Sequence, residues 1–346
     1  MTVRQLLTGR SRRGLLIRFC VLVVLAALAV GYAVWPRSSE FSRATGLLPA
    51  SAQRVLWTDW QAVRADLDCR RWTACEGAMD DADLGAATVL AGSAEVLQTQ
   101  LRWGPETVDW ELLGQATGGE VLIVRLPDVR RVARAYETAG FTPPAKHRLD
   151  GGVWVSEVEV LARLGIDEPL FANAAFLADD GLLLSSDSAA WLEKAVKAAT
   201  GGQHLDFDLA GELEEPLAAV GLAGDRACAE LSFATADAGA QARAAQLVEA
   251  AGGVNPLDGY LVGLGGGRAW TAALAFESDG QAQEDLLPRQ KLAAGDDPGQ
   301  MLDYDELLRL DSAEQHGRHV VLNGRARPSA YALTQVTQGP VLLASC

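Results

Sequence analysis

Tyr260–Phe276, YLVGLGGGRAWTAALAF, decides the fold. Apolar, β-prone residues stand at both ends, and Gly265-Gly266-Gly267 between them tolerates the backbone angles of a tight turn. The stretch reads as a β-hairpin, with Trp270, Ala272, Leu274 and Phe276 sharing one face because strand side chains alternate. The glycines lack the spacing of a dinucleotide fingerprint and join two strands, so no cofactor is expected there.

Upstream of the hairpin, Ala227–Ala234 reads as a strand. Asp237 then caps a helix carrying Ala240, Ala244, Leu247, Val248 and Ala251 on one face, closed by Gly252-Gly253. Downstream, Ser278-Asp279 begins a helix, His319–Leu322 is a strand, Pro328 opens a helix and Val341–Leu343 is a last strand. Strand, helix, hairpin, helix, strand is the order of the split β-α-β or ferredoxin-like unit.

The preceding residues echo that order. Glu120–Leu126 is a central strand, and Asp128 caps a helix in which Val129, Val132, Ala133 and Tyr136 recur before Gly140. Val153–Ser156 is a strand, and Glu157–Leu164 fits strand or helix. Ala174–Leu177 and Leu182–Ser185 form a hairpin around Asp179-Asp180-Gly181, after which Ser186 or Asp187 caps a helix with Leu192, Ala195, Val196 and Ala199 in its stripe. Nearer the start, Val55–Asp59 reads as a strand followed by a short helix from Trp60, Thr88–Gln100 holds a second strand, and Pro105–Leu113 reads as helical. Leu184-Ser-Ser-Asp-Ser188 and Phe276-Glu-Ser-Asp-Gly280 each follow a hairpin, which suggests a degenerate duplication.

Gly14–Trp35, GLLIRFCVLVVLAALAVGYAVW, sets the expected address. As a helix its 22 residues would run about 33 Å, the thickness of a hydrocarbon core. Arg4, Arg10, Arg12, Arg13 and Arg18 crowd its amino-terminal side, and the positive-inside rule then keeps that tail cytoplasmic. A cleaved signal peptide and a twin-arginine export signal at Ser11–Leu16 are the competing readings. The expected division is 1–13 cytoplasmic tail, 14–35 signal-anchor, 36–50 tether, 51–205 first extracytoplasmic lobe and 206–346 second. The expected fold is α+β: a transmembrane helix, then two ferredoxin-like lobes whose antiparallel sheets carry helices on one face. The expected localisation is the cell membrane, single-pass, with the carboxy-terminal domain outside.

The charged content of 22% and apolar content of 49% belong to a globular protein. Through Arg43, seven arginines against Glu40 give +6, so with a total of −15 the remainder carries −21. That field disfavours nucleic acid and anionic headgroups and admits cationic partners, although solubility alone accounts for it. Cys69, Cys75, Cys228 and Cys346 follow the apolar run. An oxidising compartment would allow three pairings, and proximity favours Cys69 with Cys75, leaving Cys228 with Cys346; free buried thiols are the other possibility.

Nucleophile elbows, S-x-x-K, H-E-x-x-H and phosphate-loop motifs are absent. His316 and His319 with Glu314 are too few for a tight metal site, and Asp80-Asp81-Ala82-Asp83, Asp296-Asp297 and Asp303–Glu306 lack Ca²⁺-loop spacing, so no metal is expected. Most tryptophans read as core. Trp72, inside the Cys69–Cys75 loop, is the candidate binding anchor.

The strand opening after Leu48-Pro49-Ala50, together with the duplicated layout, resembles uncharacterised families of bacterial membrane-anchored exported proteins built from such repeats. The resemblance covers most of the ectodomain and carries no site. The expected function is a non-catalytic, membrane-tethered interaction module of the cell envelope with an unidentified protein or ligand partner. The alternative is an envelope hydrolase or transferase with an unrecognised active site.

Overall fold

In the computed structural model, which describes residues 39–346, the hairpin is two strands of an eleven-stranded sheet. The strands in chain order are β1 (Arg54–Thr58), β2 (Glu111–Ala116), β3 (Gly119–Arg125), β4 (Asp150–Val155), β5 (Asn173–Leu177), β6 (Leu182–Ser186), β7 (Ala218–Ala223), β8 (Gly259–Leu264), β9 (Ala269–Ala275), the two-residue pair β10 (Asp296–Asp297) and β11 (Leu302–Asp303), β12 (Leu308–His316) and β13 (His319–Ala326). The large sheet runs β12-β13-β9-β8-β7-β1-β2-β3-β6-β5-β4, and every neighbouring pair in it is antiparallel.

This corrects the expectation of two separate split β-α-β lobes. A split unit needs parallel crossovers. Here the helical connection after β1 returns the chain as β2, antiparallel and adjacent, and the hairpin β2-β3 follows. The second half repeats that order as β7, helices, then β8-β9. The halves join through β1 and β7, with Leu56 opposite Val220. β7 is hidden in the sequence because AAVGLA is small and glycine-interrupted, whereas Ala227–Ala234, expected as the strand, overlaps the Arg226–Leu231 helix and the turn that begins at Phe233. Thr88–Gln100 is likewise short helical turns, and Pro105–Leu113 leads into β2. The last predicted strand is the turn Leu342–Ala344, and the helix expected from Pro328 is Thr334–Gln338.

Helices cover both faces of the sheet, a second correction. One face buries Leu56, Val220, Val262, Trp270, Leu274 and Phe276 beneath the Trp60–Asp66, Val129–Ala139, Ala238–Ala251 and Asp279–Leu292 helices. The other buries Val55, Trp57, Ile123 and Leu261 beneath the Ala189–Ala199 helix, the Glu40–Thr45 helix and a strap over residues 205–213. Alternation along each strand fills the two cores, and each large side chain buried this way contributes about 1.5–3 kcal/mol. The strap lies so close that a Cβ at Gly221 would sit 2.7 Å from the Phe207 ring, and one at Gly263 would sit 2.1 Å from Leu213 Cδ2. Only glycine leaves that room.

Capping follows the sequence at Asp128, whose carboxylate accepts from Arg131 N, and at Gly140, whose φ of 103° ends the helix. Ser188, two residues after Ser186, caps the next helix, because Ser186 Oγ donates instead to the Glu120 carbonyl. The apolar run 14–35 lies outside the described residues. Among the described residues no helix is long and apolar enough to cross a membrane, so the expected membrane-spanning element gains no structural support.

Candidate functional site

His316 and His319 face each other across the β12-β13 turn, and the strap brings Asp208 and Glu212 to them. His319 is 7% exposed, with Nδ1 2.8 Å from Glu212 Oε1 and Nε2 3.1 Å from Asp208 Oδ2. His316 Nδ1 lies 2.7 Å from Glu212 Oε2. Arg318 donates to Asp208 and Asp258, each at 2.7 Å, which ties the turn to the strap and to the loop before β8.

Hydrogen bonds to Asp208 and then Glu212 push His319 up to about 9, and Glu212 raises His316. The hydrogen bond from His319 holds the Asp208 carboxyl far below its ordinary range, helped by Arg318. His319, followed by His316, lowers Glu212. Near neutral pH His319 is therefore an imidazolium donating from both nitrogens, with no lone pair for a metal or a substrate proton. This cluster is a clasp between strap and sheet.

The acidic runs also carry structural bonds. Asp83 accepts from Leu333 N, Thr334 N and the Thr334 hydroxyl, and Asp297 accepts from Tyr304 OH, Gly299 N and Leu342 N. Among the described residues no cluster of three or more His, Cys, Asp or Glu could hold a metal.

Cys69 is bonded to Cys75, with Cα atoms 5.2 Å apart, and Cys228 to Cys346 at 5.6 Å. Trp72 begins the Trp72–Asp81 helix, and its backbone N–H donates to Glu106 Oε1 at 2.8 Å. Its ring is half-buried and stands edge-on to Trp60 at 5.9 Å. Trp60 is fully buried and donates to Glu111 Oε2 at 2.7 Å, while burial pushes Glu111 up to about 7. The stapled loop therefore packs Trp72 against the core.

A groove of about 820 Å³ opens beside the second disulfide. Ala244, Ala245 and Val248 of the Ala238–Ala251 helix form one wall, while Phe233, Val254 and the Cys228–Cys346 bridge complete the apolar lining. The segment carrying Ser345 is fixed from beneath by Arg289, which is 0% exposed. Arg289 Nη1 donates to the carbonyls of Leu343 at 2.9 Å and Ser345 at 2.7 Å, Nη2 donates to Asn255 O, and Nε pairs with Asp285 at 2.9 Å. Burial lowers Arg289 to about 10, so it stays charged. Sequence reading passed over this clamp because Asp285 and Arg289, four apart on a helix, look like any solvated ion pair. Pro288 between them inside the helix was the available signal of an unusual environment.

No family model matches the chain, and no curated protein matches it. Among solved structures, it is similar to three crystal forms of a protein designated TP0453. Form IV gives a TM-score of 0.44 at 9% identity, covering 84% of this chain and 94% of that one. Form III gives 0.43 at 8%, covering 84% and 96%, and form I gives 0.39 at 9%, covering 85% and 96%. Likenesses of this strength carry no functional argument.

Proposed function

We propose that this chain is an extracytoplasmic, non-catalytic binding module of the bacterial cell envelope. Its placement at the cell membrane rests on residues 14–35 and their flanking arginines, read from sequence alone. The two disulfides support an oxidising compartment.

The observation that carries the binding reading is the groove at Cys228–Cys346. It is concave and largely apolar, rests on a segment anchored by Arg289, and among the described residues that line it has no histidine, lysine or arginine. Partner specificity would come from what fits that surface.

A photoreactive residue replacing Ala245 in the full chain, expressed in its bacterial host, tests this reading. A discrete adduct with an envelope component is expected, and none at an exposed control position on the Val129–Ala139 helix. Absence of an adduct, or a hydrolase or transferase turnover abolished by His319→Gln, would overturn it.

A further inference from the structure

We infer that the Cys228–Cys346 bridge is a thiol-exchange site: a small thiol attacks Cys346 from the groove, is held there as a mixed disulfide, and is expelled when Cys228 attacks in turn. The site lies in the groove described above but goes beyond the binding reading and does not rest on it.

Access separates the two disulfides. Cys69 and Cys75 are 4% and 3% exposed, so an incoming thiolate cannot reach that bridge without local opening. Cys346 is exposed, Cys228 is half-buried, and both line the groove. Its volume of about 820 Å³ falls within the roughly 300–1,000 Å³ typical of small-molecule sites. Exchange depends on access and on which sulfur is attacked, which selects the second bridge and, within it, Cys346.

The bridge is not what holds its own segment. Arg289 Nη1 donates to the Leu343 and Ser345 carbonyls, Leu342 N donates to Asp297 Oδ2 at 2.8 Å, and Val341 N donates to Leu231 O at 3.0 Å. Residues 341–345 therefore stay seated when the sulfur–sulfur bond breaks. Cys346 stays beside Cys228, and closing the bridge again is an intramolecular step favoured by proximity. An acceptor for the freed thiol is also in place, because Cys228 Sγ lies 3.5 Å from Leu257 O. In the disulfide that sulfur has no proton to donate; as a thiol it has one.

The step is an exchange with no net oxidation or reduction. A thiolate bonds to Cys346 Sγ as the Cys228–Cys346 bond breaks, and Cys228 leaves as a thiolate that takes a proton from water. One disulfide is consumed and one is made. In reverse, the Cys228 thiolate attacks Cys346 Sγ and expels the small thiol.

The test uses the full chain in lipid nanodiscs at about pH 8, where a thiolate fraction is present, with 2-mercaptoethanol as the probe. Samples are quenched with acid, alkylated with a maleimide and digested without reduction for mass spectrometry. The mixed disulfide is expected on Cys346 and the maleimide on Cys228, with the Cys69–Cys75 bridge opening at least about tenfold more slowly. After the free thiol is removed, the adduct should decay and the Cys228–Cys346 bridge return. Ala245→Trp, which narrows the groove from an exposed position, should slow adduct formation about tenfold while leaving the urea midpoint unchanged. Equal opening of the two bridges, an adduct mainly on Cys228, an adduct that persists after thiol removal, or an unchanged rate in a folded Ala245→Trp protein would overturn the inference. The comparison of the two bridges needs no variant, so it decides even if Ala245→Trp does not fold. A photo-adduct at position 245 with no mixed disulfide would sink this inference and leave the binding module standing, whereas a mixed disulfide with no photo-adduct would do the reverse.

Discussion

At the scale of single residues, the structure turns His319 from a candidate ligand into a counter-ion. Its pKa, raised from 6.5 to about 9, means that its contribution to stability is fully present below about pH 6.5 and is lost as pH rises through about 9. Asp208 and Glu212 are shifted the other way, so their contribution is present above the ordinary carboxylate range and lost as pH falls through their lowered values. The contribution of this cluster should therefore be highest between about pH 4.5 and 6.5 and decline toward pH 10, by at most about 3 kcal/mol from His319, separately from the loss between about pH 4.5 and 7 as buried Glu111 ionises. Urea midpoints at pH 8, 9 and 10, above the range in which Glu111 titrates, would show the decline, and His319→Gln should flatten it. An equal alkaline slope in the variant would show that another group titrates. Trp72→Ala provides a second test at this scale. Removing a half-buried ring that packs edge-on to Trp60 should cost about 1–2 kcal/mol, measurable as a shift of the urea midpoint with unchanged slope. An unchanged midpoint would return Trp72 to the exposed loop where its sequence context first put it.

At the scale of elements, legibility tracked periodicity and punctuation. The Val129–Ala139 helix between Asp128 and Gly140, and the hairpins β5-β6 and β8-β9, were readable because cap, period and turn agree at each. β7 was not, because AAVGLA owes its strand state to neighbours on both sides, β1 and β8, rather than to local propensity. The strap was also hidden, since Leu205, Phe207, Leu209 and Leu213 are spaced by acidic and glycine residues that read as a linker. Apart from Gly221, the partners named for it lie far off in the chain, Leu48 upstream and Gly263, Arg318 and His319 downstream, beyond any local pattern. The sharpest sign of it is glycine in the strands beneath. Gly263→Ala should push Leu213 aside and destabilise by about 1–3 kcal/mol, with faster amide exchange confined to 205–213. Adding Leu213→Ala removes the collision, so the double variant should recover most of the loss due to strain and keep only the cost of the lost leucine methyls. If the double variant loses the sum of the two single effects, the close approach is not what requires the glycine.

At the scale of the molecule, pairing of β1 with β7 makes one object from two repeats. Five residue pairs span the junction, from Arg54 opposite Leu222 to Thr58 opposite Ala218. The larger core crosses it without interruption, since Leu56, Leu113 and Leu122 from the first repeat share a cluster with Val220, Val262 and Leu274 from the second. Asp83 reaches across as well, accepting from Leu333 and Thr334 some 250 residues away. Separating the repeats would expose two strand edges and unpair a buried carboxylate, which costs far more than opening a linker between independent lobes. Residues 39–346 should therefore unfold in one cooperative transition. Tryptophan fluorescence reports mainly on the first repeat, which holds Trp57, Trp60, Trp72, Trp103, Trp110, Trp154 and Trp191, whereas Trp270 is in the second. A thiol-reactive probe on an engineered cysteine at Thr271 would report on the second repeat. The two signals should give coincident urea transitions, and Ala219→Pro, which removes a ladder N–H at the junction opposite Trp57, should shift both together. Separate midpoints in the unmodified protein, or an Ala219→Pro effect confined to one probe, would mean that the repeats fold as independent lobes despite the shared sheet.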